Sequence, residues 1–170
     1  SLGRGVLTMG ESLANAIRTR TKAGIKEGGG NFAPYSERYA KRKGSSNVNL
    51  YGNEKVSRPG RSQRMVDSLQ VQEGSNGNIK ANAAGTGSRL TGAGGRFVTM
   101  DQGKDITLTI GVSQENEWLA AEHQEGRHRM PIRPWISVNA QEEQQAFDVL
   151  TRELRLPPGT KQIINIKFGL

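Results

Sequence analysis

An α+β fold is what the sequence predicts, with a small antiparallel sheet packed with an N-terminal and a C-terminal helix, a long basic loop and a terminal strand. Three observations carry that reading. Apolar residues recur at helical spacing near both ends of the chain, at Met9, Leu13, Ala16 and Ile17 and again at Ala140, Phe147, Leu150 and Leu154. Between them, residues 105–112 alternate Ile106, Leu108 and Ile110 against Thr107 and Thr109, which is the pattern of a half-buried strand. After Pro157-Pro158-Gly159 the alternation returns, with Ile164, Ile166 and Phe168 on one side and Ile163, Asn165 and Lys167 on the other. The 170 residues suit one domain with appendages. Residues 1–27 form the first helix, 28–61 an extended basic loop, 62–156 the α+β core and 157–170 the tail strand.

The elements follow in order. Residues 8–26 read as an amphipathic helix with Arg18, Arg20, Lys22 and Lys26 away from the apolar stripe. Thr8 and Glu11 have the spacing of a capping box, and Gly28, Gly29 and Gly30 stop the helix. Residues 31–61 mix Gly, Ser, Asn and Pro with the cations Arg38, Lys41, Arg42, Lys43, Arg58 and Arg61, and show no periodic apolar face. A loop of that length is usually functional or ordered by what packs on it. Tyr35, Tyr39 and Tyr51 interleave with the cations, which suits both stacking on nucleic acid and a Tyr/Arg-rich protein contact.

Residues 61–69 suggest a short helix with Met65, Val66 and Leu69 on one side, leading into Val71 and a turn over residues 74–77. A weak strand over residues 79–83 and a glycine-rich hairpin end or insertion over residues 85–95 precede the firm strand at 105–112. Residues 115–124 form a short helix ended by Gly126, the residue type that tolerates a left-handed cap. Pro131 and Pro134 hold Met130 and Arg133 extended, and Trp135 is expected to be buried. A second long helix follows Asn139 and ends before Pro157. The closing strand must pair with a sheet edge in its own subunit or in another, and an edge at a subunit interface is the preferred expectation.

Composition limits the function classes. Hydrophobic residues are only 34%, aromatics 5%, and the mean hydropathy is -0.64, so much of the chain is loop or finds its burial partner on another subunit. The absence of cysteine excludes disulfides and thiolate metal sites. No apolar run is long enough for a membrane span or a signal peptide, so a soluble, unexported protein is expected. Residues 1–64 hold 13 Lys/Arg against 4 Asp/Glu, whereas residues 65–170 hold 11 against 12. That basic third is either a solvated face or a contact for DNA or an acidic protein surface.

Chemistry is sparse. His123 and His128 are five apart across Gly126, a spacing that fits neither a zinc hydrolase nor a finger. Glu122 and Glu125 flank His123 in positions that would raise its basicity, but a structural or ordinary exposed imidazole is the preferred reading. Ser62 lacks the setting of a nucleophile elbow, the Gly85-Thr86-Gly87 and Gly92-Ala93-Gly94-Gly95 stretches lack a P-loop ending, and Glu142 and Glu143 are expected on an exposed helix face. No catalytic residue, metal or cofactor is assigned, and a nuclease or peptidase is disfavoured for want of an acidic or metal cluster.

Several segments taken in order resemble the phage virion-morphogenesis family, the tail-completion or head-tail joining proteins of long-tailed bacteriophages. They are the basic first helix, Phe32-Ala33-Pro34-Tyr35 with its Lys/Arg-rich sequel, Gly60 with Met65, Ser68, Leu69 and Val71, and the strand ending at Gly111-Val112. Then come Leu119 to Gly126, containing His123-Gln124-Glu125-Gly126, and Met130-Pro131-Ile132-Arg133-Pro134-Trp135. The last two are the most specific, and the likeness spans roughly residues 5–155, with residues 74–104 as an insertion. It implies an α+β fold without catalytic activity, in a six-fold ring in the virion neck, made in the host bacterial cytoplasm. Its partners would be further copies, the head-tail connector and the tail tube or terminator proteins, with genomic DNA passing through the lumen. Candidate partner-binding residues are Arg38, Lys41, Arg42, Lys43, Arg58, Arg61, Ile164, Ile166 and Phe168, while His123, Gly126, Pro131, Arg133, Pro134 and Trp135 form a structural motif. The rival reading is a nucleic-acid-binding protein that uses the basic N-terminal third, consistent with a pI of 10.1.

Overall fold

Val6, Met9, Leu13 and Ile17 are essentially fully buried and fall on one stripe of a helix, which drives formation of α1 (Leu2–Lys22). The computed structural model of the chain describes residues 2–50, 64–74, 96–101, 105–113, 116–157 and 165–169. Helix α1 starts six residues before the expected Thr8, because Val6 extends the apolar stripe upstream. Thr8 therefore lies inside the helix, and its hydroxyl donates to the Arg4 carbonyl at 3.0 Å instead of capping. The helix also ends at Lys22, short of Lys26. Gly24, at φ +78°, takes the left-handed conformation, and residues 25–31 turn back on themselves through an Ile25–Asn31 bridge. Gly28, Gly29 and Gly30 serve that turn and do not stop the helix.

The stretch expected to be a loop contains α2 (Glu37–Lys43). Ser36 caps it by accepting a bond from the Tyr39 amide at 3.3 Å, and Gly44 ends it at φ +77°. This segment is also seated in the protein, since Phe32, Val48 and Leu50 are buried members of the core. Residues 65–68 form a turn where a short helix was expected, with the Ser68 amide donating to the Arg64 carbonyl at 2.9 Å. Met65, Val66 and Leu69 are nonetheless buried as the apolar pattern requires.

Among the described residues four strands make one antiparallel sheet, namely β1 (Gln70–Gly74), β2 (Arg96–Asp101), β3 (Asp105–Gly111) and β4 (Asn165–Gly169), in the order β1-β3-β2-β4. Gly74 is the last residue of β1, and the rest of the turn expected over residues 74–77 lies outside the described residues. Strand β3 is central, with Val71 opposite Ile110 on one side and Val98 opposite Leu108 on the other. The closing strand pairs with β2, placing Ile166 opposite Met100 and Phe168 opposite Val98, so its partner is its own sheet and not a neighbouring subunit. The open edge of β2 is in reach within the chain, so intramolecular pairing needs no association. Arg58, Arg61, Ile164, the weak strand at 79–83 and the glycine-rich stretch at 85–95 lie outside the described residues.

Helix α1 lies against β1 and β3 and against the last long helix, while α3 (Glu117–Glu125) and α4 (Ala140–Glu153) fall close to where the sequence placed them. Gly5 allows close approach to α4, since a Cβ there would stand 3.0 Å from Leu154 Cδ2. Asn139 and Glu142 form a reciprocal capping box at the start of α4, with bonds of 2.8 and 3.1 Å. Glu142 is thus buried, contrary to the exposed position expected of it, and its Oε1 pairs with Arg20 Nε at 2.6 Å. That ion pair joins the last turn of α1 to the first turn of α4. Among the described residues no helix is long and apolar enough to cross a membrane.

Two outcomes follow from this packing. Trp135 is fully buried within the core cluster, so Trp135→Ala is expected to lower unfolding free energy by roughly 3–5 kcal/mol in urea titrations. A loss below about 1 kcal/mol would contradict that placement. Deleting residues 160–170 strips β2 of its outer partner, and the truncated subunit is expected to melt earlier than the full chain. A truncation that leaves the melting curve unchanged would place the strand's role elsewhere.

Candidate functional site

Residues 133–137 run in irregular conformation, yet Arg133, Trp135, Ile136 and Ser137 are all buried. Backbone groups so placed need partners that no strand or helix supplies. The partners come from the segments singled out in the sequence. The Arg133 amide donates to the His123 carbonyl at 2.7 Å. Gln124 treats Ile136 as a strand neighbour would, its Oε1 accepting from the Ile136 amide and its Nε2 donating to the Ile136 carbonyl, both at 3.2 Å. Arg20 Nη2 donates to the Ser137 carbonyl at 2.7 Å.

Gly126 closes α3 at φ +68°, and a Cβ added there would stand 2.6 Å from Ile132 Cγ1 and 2.9 Å from the Met130 carbonyl oxygen. Only glycine fits both the dihedral and the space. The His123-Gln124-Glu125-Gly126 and Pro131 to Trp135 stretches are therefore two halves of one clasp. Pro131 and Pro134 are themselves exposed, and they act by restricting the backbone that carries Arg133 and Trp135.

Arg133 extends the clasp across 99 and 100 residues of sequence. Its Nε donates to the Ala33 carbonyl and its Nη2 to the Pro34 carbonyl, each at 2.7 Å, while its guanidinium lies 5.0 Å from the Tyr35 ring centroid. Lys43 Nζ approaches the same ring at 4.6 Å and donates to Asn49 Oδ1 at 2.7 Å, to the Asn47 carbonyl at 3.2 Å and to Tyr35 Oη at 3.3 Å. Lys43 is therefore a buried structural cation, which corrects its assignment as a partner-binding residue. A four-carbon stem long enough to bury beneath the loop explains the difference. Burial, reinforced by Tyr39, pushes the Tyr35 phenol up to about 12, so it remains neutral between the two cations.

His123 is buried beside this bracket with no hydrogen-bond partner for Nδ1. The flanking carboxylates are engaged elsewhere, with the Glu122 carboxylate meeting His128 Nδ1 at 2.7 Å and Glu125 pairing with Arg127 at 2.6 Å. Burial pushes the His123 imidazole down from 6.5 to about 4, with Arg133 and Lys43 adding to the effect. Arg38, Lys41 and Arg42 are exposed on α2, the last with its guanidinium 5.2 Å from the Tyr39 ring. Ile166 and Phe168 lie in β4, remote in sequence from this cluster.

The sequence named Arg20, Gln124 and Lys43 without their structural roles, and no local signal discloses those roles, since Gln124 stands among the polar Glu122, His123 and Glu125. Among the described residues, no group of three or more His, Cys, Asp or Glu side chains is gathered as metal ligands would be. No family model, curated protein or solved structure matches the chain.

The depressed His123 imidazole makes stability depend on pH in a defined direction. Between pH 6.5 and about 4 the unfolded chain takes up a proton that the folded chain refuses, so the contribution is full above that window and lost as pH falls through it. The loss is about 3 kcal/mol. Urea midpoints measured at neutral pH and near pH 4 should converge for His123→Gln relative to the native chain. An identical pH dependence in the two would assign the effect to another group.

Proposed function

We propose that the protein is a structural component of the neck of a long-tailed bacteriophage, a tail-completion protein that assembles as a six-fold homo-oligomeric ring and joins the tail to the head connector. The observation that carries this reading is the clasp. The stretches on which the family resemblance rests most specifically are the ones whose residues serve one another, through Gln124 with Ile136, Gly126 against Ile132, and Arg133 with Ala33 and Pro34. Their identities follow from one mechanical task, which is to hold a buried irregular strap against α1, α3 and the segment before α2. Such a site ties chain segments together and supports a scaffold reading over a catalytic one.

The surface fits an assembly subunit. Ile132 is 64% exposed and Trp118 46% exposed, which leaves large apolar side chains for a neighbour to cover. In this reading the neighbours are further copies, the connector, and the tail tube or terminator proteins, and the protein resides at the head-tail junction after synthesis in the bacterial cytoplasm. Head-to-tail contacts between identical subunits close into a ring when the rotation between copies divides the circle.

Symmetry-resolved electron microscopy of virions should place a ring of this chain between connector and tail tube, and phage lacking its gene should accumulate filled heads and unjoined tails. Intact infectious particles formed without the protein would sink the proposal.

A further inference from the structure

We propose that the exposed face of α2 is a contact surface for the phosphodiester backbone of nucleic acid, with Arg38, Lys41 and Arg42 as its phosphate-binding residues. Their spacing places all three on one side of a two-turn helix. The needs of the helix account for only part of this. Lys41 and Arg42 in the last turn complement the helix dipole, but Arg38, the second helical residue, opposes it and stands one turn from a like charge at Arg42. Among the described residues no carboxylate forms an ion pair with any of the three.

The ground beneath the face is positive as well. Arg133, buried under the same segment, is held by the Ala33 and Pro34 carbonyls and the Tyr35 ring; burial lowers its pKa, and the Tyr35 and Tyr39 phenols act against that shift. Its field, with that of Lys43, reaches the His123 imidazole and disfavours a proton there. The face is also held firmly. Ser36 and Gly44 fix both ends of α2, the Tyr35 and Tyr39 rings meet edge-on at 4.8 Å, and Arg42 is laid over Tyr39. The helix backbone that carries the cations is thus ordered before binding.

A polyanion fits this face better than an acidic protein does. Protein interfaces gather aromatic and apolar anchors at their centre and are poor in lysine and glutamate though not in arginine, whereas the exposed positions of α2 are Glu37, Arg38, Lys41 and Arg42, with no apolar or aromatic anchor among them. The chain's net charge of +8, concentrated in residues 1–64, suits a uniformly charged backbone, which positions a protein without reading bases. The inference stands apart from the ring reading, because a chain that forms no ring can bind through this face and a ring can form without it.

The test is fluorescence anisotropy of the full chain with labelled random-sequence duplex and single-stranded DNA over a salt series. Native protein should bind at low salt with affinity falling steeply as salt rises. The Arg38→Gln, Lys41→Gln, Arg42→Gln triple variant should lose about 2.7 from the log–log slope on duplex, close to 0.9 for each phosphate contact removed. Arg38→Gln alone should lose about 0.9, which keeps the test decisive if the triple variant does not fold. No binding to either DNA, or a variant with unchanged slope, overturns the proposal. Binding of polyglutamate through these three residues without binding to DNA also overturns it, and assigns the face to an acidic protein. Ring formation is read separately by native mass spectrometry, so the two proposals fail independently.

Discussion

The fold depends on the burial of a strap that has no regular secondary structure. An irregular segment carries its amide and carbonyl groups into the interior without a ladder to receive them, and each one left unpaired costs about 1–3 kcal/mol. Here side chains do what a neighbouring strand would do. Gln124 mimics a strand neighbour for Ile136, Arg20 reaches the Ser137 carbonyl, and the His123 carbonyl receives the Arg133 amide. Because those side chains sit on α1 and α3, the strap sets how the helices are placed around it. Trp135 then supplies the apolar area that makes its burial favourable.

Two buried guanidinium groups meet the demands of their charge in different ways. Arg20 pairs with Glu142, both side chains being 8% exposed, and the same carboxylate completes the capping box of α4. Such a pair gives little net stability over an apolar substitute but makes loss of either partner severe. Arg133 has carbonyls and an aromatic ring instead, so its charge stays uncompensated locally and shapes the potential around Tyr35 and His123. The first arrangement fixes a helix junction, and the second leaves a positive region at the protein's edge.

What the sequence disclosed was whatever depends on near neighbours in the chain. The stripe of Met9, Leu13 and Ile17, the alternation along β3, the left-handed Gly126 and the burial of Trp135 all announce themselves within a few residues. Helix α2 escaped notice because it is seated through Tyr39 and the stem of Lys43, beside Tyr35 just upstream, none of which registers as an aliphatic stripe, although Ser36 and Gly44 are recognisable caps in retrospect. The early start of α1 was hidden by Gly3 and Gly5, poor helix formers on propensity, of which Gly5 is tolerated for the close approach of α4. Arg133, Gln124 and Glu142 could be named but not given their roles, since their partners lie far off in sequence or on another element. The motif's membership was readable while its mechanics were not.

The joining of α1 to α4 also governs the order in which the chain can acquire structure. Arg20 and Glu142 are 122 residues apart, and the helices that carry them pack along one another. As the protein emerges from the ribosome at about 5–20 residues per second, α1 appears well before its partner helix. For several seconds the stripe of Val6, Met9, Leu13 and Ile17 has no permanent cover. A helix in that position stays available to chaperones and to other nascent chains until α4 has emerged. Emergence of α4 is then the event that commits the subunit to its fold, so translation products truncated before α4 are left with that stripe uncovered and open to degradation.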